Sequence, residues 1–161
     1  MNSFDLTLSI APSDKDLRDI IGTDVWYKIK GELTTKHENK CQGCGFSSIS
    51  NEALQMHVIS INEEKPEESD FALLCSACHC TQHLDVSAKQ EWVVLVNSVR
   101  SQMEIVRLNR AGKETLSESF NNNDIVELRL SPLEYAEKLK ETSFYKDDKM
   151  KISFTDKFDW K

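Results

Sequence analysis

Five cysteines in two clusters are the residues best placed to do chemistry in this chain: Cys41 with Cys44, then Cys75, Cys78 and Cys80. A CxxC turn sets two thiolates side by side, and two such turns supply the four soft ligands of a tetrahedral zinc site. Gly43 and Gly45 flank Cys44 and free the backbone to curl, so that its N–H groups face the sulfurs. An odd cysteine count is a poor disulfide framework in a chain with no secretory signal. None is expected here, because Met1-Asn2-Ser3-Phe4-Asp5 lacks a basic region followed by an apolar one. Zinc is therefore expected on Cys41, Cys44, Cys75 and Cys78, the alternative being four buried, unligated cysteines. Cys80 reads as a small buried hydrophobe.

Histidines complete the set. In order, the central third reads Cys41-x-x-Cys44-Gly45, His57, Asp70, and Cys75-x-x-Cys78-His79-x-x-x-His83. Over roughly residues 38–85 this string resembles the HNH, or ββα-metal, nucleases. There a histidine base activates water for attack on phosphorus and a divalent metal stabilises the leaving oxygen. The resemblance implies that an active site would use His57 as general base, with His79 and His83 on the metal and Asp70 at the family's asparagine position. Met56, however, stands where the family carries a metal-binding Asp, Glu or His, and a thioether is a poor ligand for Mg²⁺. Asp70 replaces an asparagine, and the proline often found after the base is absent. No catalytic residue is expected to be functional.

Each histidine also has a plainer reading. His37, among polar neighbours, is expected on the surface. His57 is either a strand residue on a solvated face or a relic catalytic position. His79 either caps the knuckle by hydrogen bonding or replaces one thiolate on zinc.

The elements that must position these residues show in the patterning. Phe4 to Ile10 alternates apolar and polar, as a half-buried strand does. Ser13-x-x-Asp16 resembles a capping box opening a short helix to Ile21, and Val25, Ile29 and Leu33 mark a second helix leading to Cys41. Ala53 to Ile61 reads as a strand with His57 on the face opposite Leu54 and Met56. Phe71 to Leu74 returns the chain to Cys75, and a helical turn is expected from His79 to Leu84. Ser87-x-x-Gln90 predicts a long helix with the stripe Trp92, Leu95, Val96, Val99, Met103 and Val106; Trp92 to Val96 as a strand is the alternative. Val126, Leu128 and Leu130 suit a short strand, and Ser131-Pro132-Leu133-Glu134 a helix start.

Composition narrows the function. The 161 residues carry 20 Lys plus Arg against 27 Asp plus Glu, a formal charge of −7, with 39% hydrophobic residues. Residues 36–85 hold three lysines, no arginine and eight carboxylates. Such a field repels a phosphate backbone, so nucleic acid is not an expected partner. The longest apolar run, Trp92 to Val96, is five residues, far short of the ~18 a membrane span needs. From 144 to 161, Phe144, Tyr145, Phe154, Phe158 and Trp160 alternate with five lysines and four aspartates. Large aromatics amid mixed charge suit a protein contact, made in cis or in trans.

A second resemblance uses more of the chain. The strand ending Ile10-Ala11-Pro12-Ser13, the Trp26 helix, Cys41-Gln42-Gly43-Cys44-Gly45-Phe46, the run Cys80-Thr81-Gln82-His83 and the helix after Leu130-Ser131-Pro132 occur in order. Together they resemble the IcmJ/DotN component family of Dot/Icm (type IVB) secretion systems, an HNH-like zinc fold used as an adaptor. The resemblance implies a protein partner, the coupling ATPase with its associated subunits, and a cytoplasmic place, at the inner membrane's cytoplasmic face through that complex. The fold expected is α+β: an HNH-like zinc-stapled β-hairpin plus helix, packed with additional helices from residues 87–110 and 132–142. Residues 1–143 are expected to form one domain with its zinc-knuckle core at 38–85, followed by the tail 144–161. The alternative function is a metal-dependent HNH endonuclease with His57 as its base.

Overall fold

The computed structural model describes residues 4–10, 22–47, 53–59, 65–112, 125–127, 131–141 and 149–160. The chain is α+β, as expected, with two antiparallel sheets among the described residues. It divides into two compact units, Met1–Asp5 with Ala11–His79, and Leu6–Ile10 with Cys80–Lys161. No helix among the described residues is long and apolar enough to cross a membrane.

In the first unit, α1 spans Asp24–Lys36. Thr23 Oγ1 accepts the Trp26 N–H at 3.3 Å, satisfying one of the helix's unpaired first-turn donors. Asp24 at the start and Lys36 at the end complement the helix dipole. Ile29 and Leu33, four residues apart, form the buried stripe. β1 (Leu54–Val58) and β2 (Phe71–Cys75) then make an antiparallel hairpin, with Leu54 opposite Cys75 and Val58 opposite Phe71. Every residue of β2 is buried, which is why it reads as an uninterrupted apolar run. Cys75 passes directly into α2 (Ser76–Gln82), so hairpin and helix follow in the expected order.

β1 departs from the simple alternation. Leu54, Met56 and His57 are all buried. The face expected to be solvated is covered, because the Phe4 ring packs edge-on against His57 with centroids 5.6 Å apart.

The second unit holds α3 (Leu84–Lys89), β3 (Val93–Ser98), α4 (Gln102–Gly112), β4 (Ile125–Glu127), α5 (Pro132–Glu141) and β5 (Met150–Phe154). β3 is the central strand of the order β4-β3-β5, antiparallel to both neighbours. The single helix expected over 87–110 is therefore wrong: that stretch is the end of α3, a strand and most of α4. Glu91, in the left-handed region at φ 57°, follows the end of α3, and the β-branched run Val93-Val94-Leu95-Val96 takes up strand pairing. Val99, assigned to the helical stripe, is 81% exposed in the connection between β3 and α4.

Side chains of α4 finish the free edge of β5. Gln102 Nε2 donates to the Ile152 carbonyl and Gln102 Oε1 accepts the Ile152 N–H, both at 2.8 Å. One full turn pair further along, Asn109 Oδ1 accepts the Phe154 N–H at 3.1 Å. These bonds occupy edge groups that would otherwise be open to pairing with another chain. The start of α5 is the reciprocal capping box expected: Glu134 N–H donates to Ser131 Oγ at 3.2 Å, and Ser131 N–H to Glu134 Oε2 at 3.0 Å.

The expected N-terminal strand forms no sheet. Ser9 and Ile10 instead run against residues 81–84, through Ser9 N–H to the Thr81 carbonyl at 3.0 Å and a bridge between Ile10 and His83. The helix expected from Ser13 to Ile21, the positions Leu128 and Leu130, and Phe144 and Tyr145 lie outside the described residues.

Candidate metal centre

The first knuckle is built by a closed loop. Lys40 and Ser47 bridge at its mouth, Cys41 N–H donates to the Phe46 carbonyl at 2.8 Å, and Gly45 N–H returns to the Cys41 carbonyl at 2.9 Å. Gly45 adopts φ 80°, a conformation that side chains with a Cβ resist. The second knuckle lies where β2 becomes α2, so Cys75 ends a strand and Cys78 sits in the first turn of a helix.

The four Sγ atoms of Cys41, Cys44, Cys75 and Cys78 lie within 4.8 Å of one another, and Cys44 and Cys75 are 3.7 Å apart. Tetrahedral ligation with metal–sulfur bonds of about 2.3 Å separates sulfurs by about 3.8 Å. The cage thus fits a thiophilic ion. Backbone donors already point at one sulfur: Gly43 N–H at 3.3 Å and Cys75 N–H at 3.2 Å both reach Cys41 Sγ. All four cysteines are buried, leaving no open ligand position of the kind a catalytic metal keeps.

Electrostatics point the same way. Hydrogen bonds from the thiols of Cys44, Cys75 and Cys78 hold Cys41 far below the ordinary thiol range. Hydrogen bonding to Cys41 in turn pushes Cys75 and Cys78 far above it. Four thiols this close cannot all ionise unless a cation among them offsets their repulsion. Cys80 lies outside the cage; burial alone pushes its thiol up to about 12, as suits an inert core residue.

Gln42, between the two cysteines of the first knuckle, is a positioning residue that the sequence did not reveal. Its N–H donates to the Leu73 carbonyl at 2.8 Å, and its Oε1 accepts the Leu73 N–H at 2.6 Å. Its own carbonyl accepts the Phe4 N–H at 2.8 Å. One side chain and its peptide thus bind the N-terminal segment, the first knuckle and the strand leading to the second.

The histidine positions are placed as follows. His57 is only 4% exposed, its ring between Phe4 at 5.6 Å and His79 at 5.3 Å, both edge-on. The solvated reading of His57 is therefore corrected. His79 Nδ1 hydrogen-bonds Gln55 Oε1 at 2.7 Å, joining α2 to β1. The Asp70 carboxylate accepts the Glu67 N–H at 2.9 Å and closes the turn before β2. His83, four residues after His79 along the chain, stands at the N-terminus of α3 in the second unit. His37, expected on the surface, is 6% exposed; burial, followed by the neighbouring Lys36 charge, lowers its pKa. Its polar sequence neighbours misled, because the turn after α1 points the ring inward while they stay in water.

No protein-family model, curated protein or solved structure matches this chain.

Proposed function

We propose that this chain is a non-catalytic adaptor, with zinc held by Cys41, Cys44, Cys75 and Cys78 as a structural ion. Its partner would be a protein segment; the resemblance names a tail of a type IV secretion coupling ATPase, at the cytoplasmic face of the membrane, with substrate recruitment as the outcome. A closed, buried four-sulfur cage supports zinc, whose role there is to hold two chain segments together. The observation that carries the non-catalytic reading is the enclosure of His57. A general base must reach its water and the scissile phosphate, whereas this ring is covered by Phe4 and preceded by Met56. The formal charge of −7 adds repulsion of any phosphate backbone.

One observation favours the alternative endonuclease: the rings of His57 and His79 are neighbours, as a base and a metal ligand would be. Plasmid nicking with Mg²⁺ or Mn²⁺ separates the two. The adaptor leaves supercoiled DNA intact, and nicking that disappears in His57→Ala overturns it.

A further inference from the structure

Within the first unit, α1 and the turn before β2 border a cavity of about 620 Å³. That volume suits a small ligand or two to three side chains of a peptide. Its apolar lining comes from Leu33 and Phe71, both buried, and from Phe4 and Ile59. Ile59 is 52% exposed, so its side chain is open to a ligand entering the cavity. Lys36, His37, Glu67 and Glu68 add the polar groups.

His37 is largely buried, and its backbone N–H is used, donating to the Leu33 carbonyl at 2.9 Å. The residue lines the cavity, so its ring can exchange water for a hydrogen bond to a ligand there. Two carboxylates against one ammonium favour a cationic ligand, and the chain's net charge of −7 attracts one. Burial keeps the His37 ring neutral at neutral pH, so it does not oppose that charge.

We infer that this cavity is a docking groove for a peptide segment bearing a large apolar side chain next to a lysine or arginine. The apolar side chain rests on Leu33 and Phe71, the cation meets Glu67 and Glu68, and the His37 ring bonds the peptide backbone. The inference rests on the adaptor reading and supplies the chemistry of its partner. A nucleic acid strand is disfavoured by the same two carboxylates.

The test uses the zinc-loaded full chain, panned against a displayed library of random 12-residue peptides. Enriched sequences are synthesised and their affinities measured by fluorescence anisotropy. The expected consensus pairs Trp, Phe or Leu with Lys or Arg. Ile59→Glu and Glu68→Lys, both on the groove surface, each weaken it at least tenfold with the melting temperature unchanged. Replacing the peptide's basic residues by Glu restores binding to Glu68→Lys. A consensus without basic residues, affinities indifferent to both substitutions, or no enrichment overturns the groove. A protein partner that binds Ile59→Glu as tightly as the parent chain removes the groove and leaves the adaptor standing. DNA nicking dependent on His57 removes the adaptor whatever the peptides do.

Discussion

Gln42 and Leu73 are joined twice, peptide N–H to carbonyl and peptide N–H to side-chain Oε1, two residues before Cys75. The side-chain bond satisfies an N–H on a strand residue that is itself fully buried. Gln42→Ala strands that donor, at a cost of about 1–3 kcal/mol. A lower urea midpoint with zinc content unchanged is expected. An unchanged midpoint would show that water replaces the amide without loss.

The cage itself is tested by its metal. One zinc per chain is expected by elemental analysis, and Cys44→Ser should lose both the zinc and the cooperative unfolding transition. Chelation should have the same effect on the parent protein, because binding energy at a structural site is folding energy. A folded, metal-free chain would falsify the structural role.

The second unit depends on its last strand. Ile152 and Phe154 are buried, and Phe154 packs on Phe158 at 4.6 Å and Trp160 at 5.1 Å. Phe154→Ala is expected to cost about 3–5 kcal/mol by denaturant titration. Deleting residues 144–161 removes β5 altogether and should lower thermal stability while leaving DNA affinity at background. Loss of a salt-sensitive DNA interaction with stability intact would count against a role for this segment in protein packing.

Acidification should weaken the first unit through His37. Its pKa in the folded chain lies below the ordinary 6.5 through burial first and Lys36 second, against an opposing pull from Glu68. Between the folded and unfolded values the unfolded chain holds the extra proton. This contribution is therefore complete above about pH 6.5 and is lost as pH falls towards the folded value. Melting temperatures measured from pH 7.5 to 5.5 should fall less steeply in His37→Gln than in the parent; parallel slopes would rule the histidine out.

The two knuckles, the hairpin between them and the α5 cap were legible because each is a local pattern: CxxC, alternation into an apolar run, and Ser-Pro-x-Glu. β3 was not. Trp92 to Val106 fits a helical stripe as well as it fits a strand followed by a helix, and what decides is the availability of Ile125–Glu127 and Met150–Phe154 as pairing partners. No local window contains them. The environment of His57 was hidden for a related reason, since the ring that covers it belongs to Phe4, far away along the chain.

The pairing of Val93 with Phe154 sets an order for synthesis. Every cysteine of the cage precedes residue 80, so the first unit can take up a metal ion and close while the chain is still being made. β4 can pair with Val96–Ser98 earlier, but Val93, Val94 and Leu95 must wait for β5, whose Phe154 lies 61 residues downstream of Val93. At about 5–20 residues per second that wait is roughly 3–12 s. Throughout it, Val93-Val94-Leu95 is an apolar, mostly β-branched run with its β5 partner still unmade. Slowing elongation after residue 98 should therefore raise aggregation of the newborn protein, and holdase chaperones should engage this window rather than the knuckles.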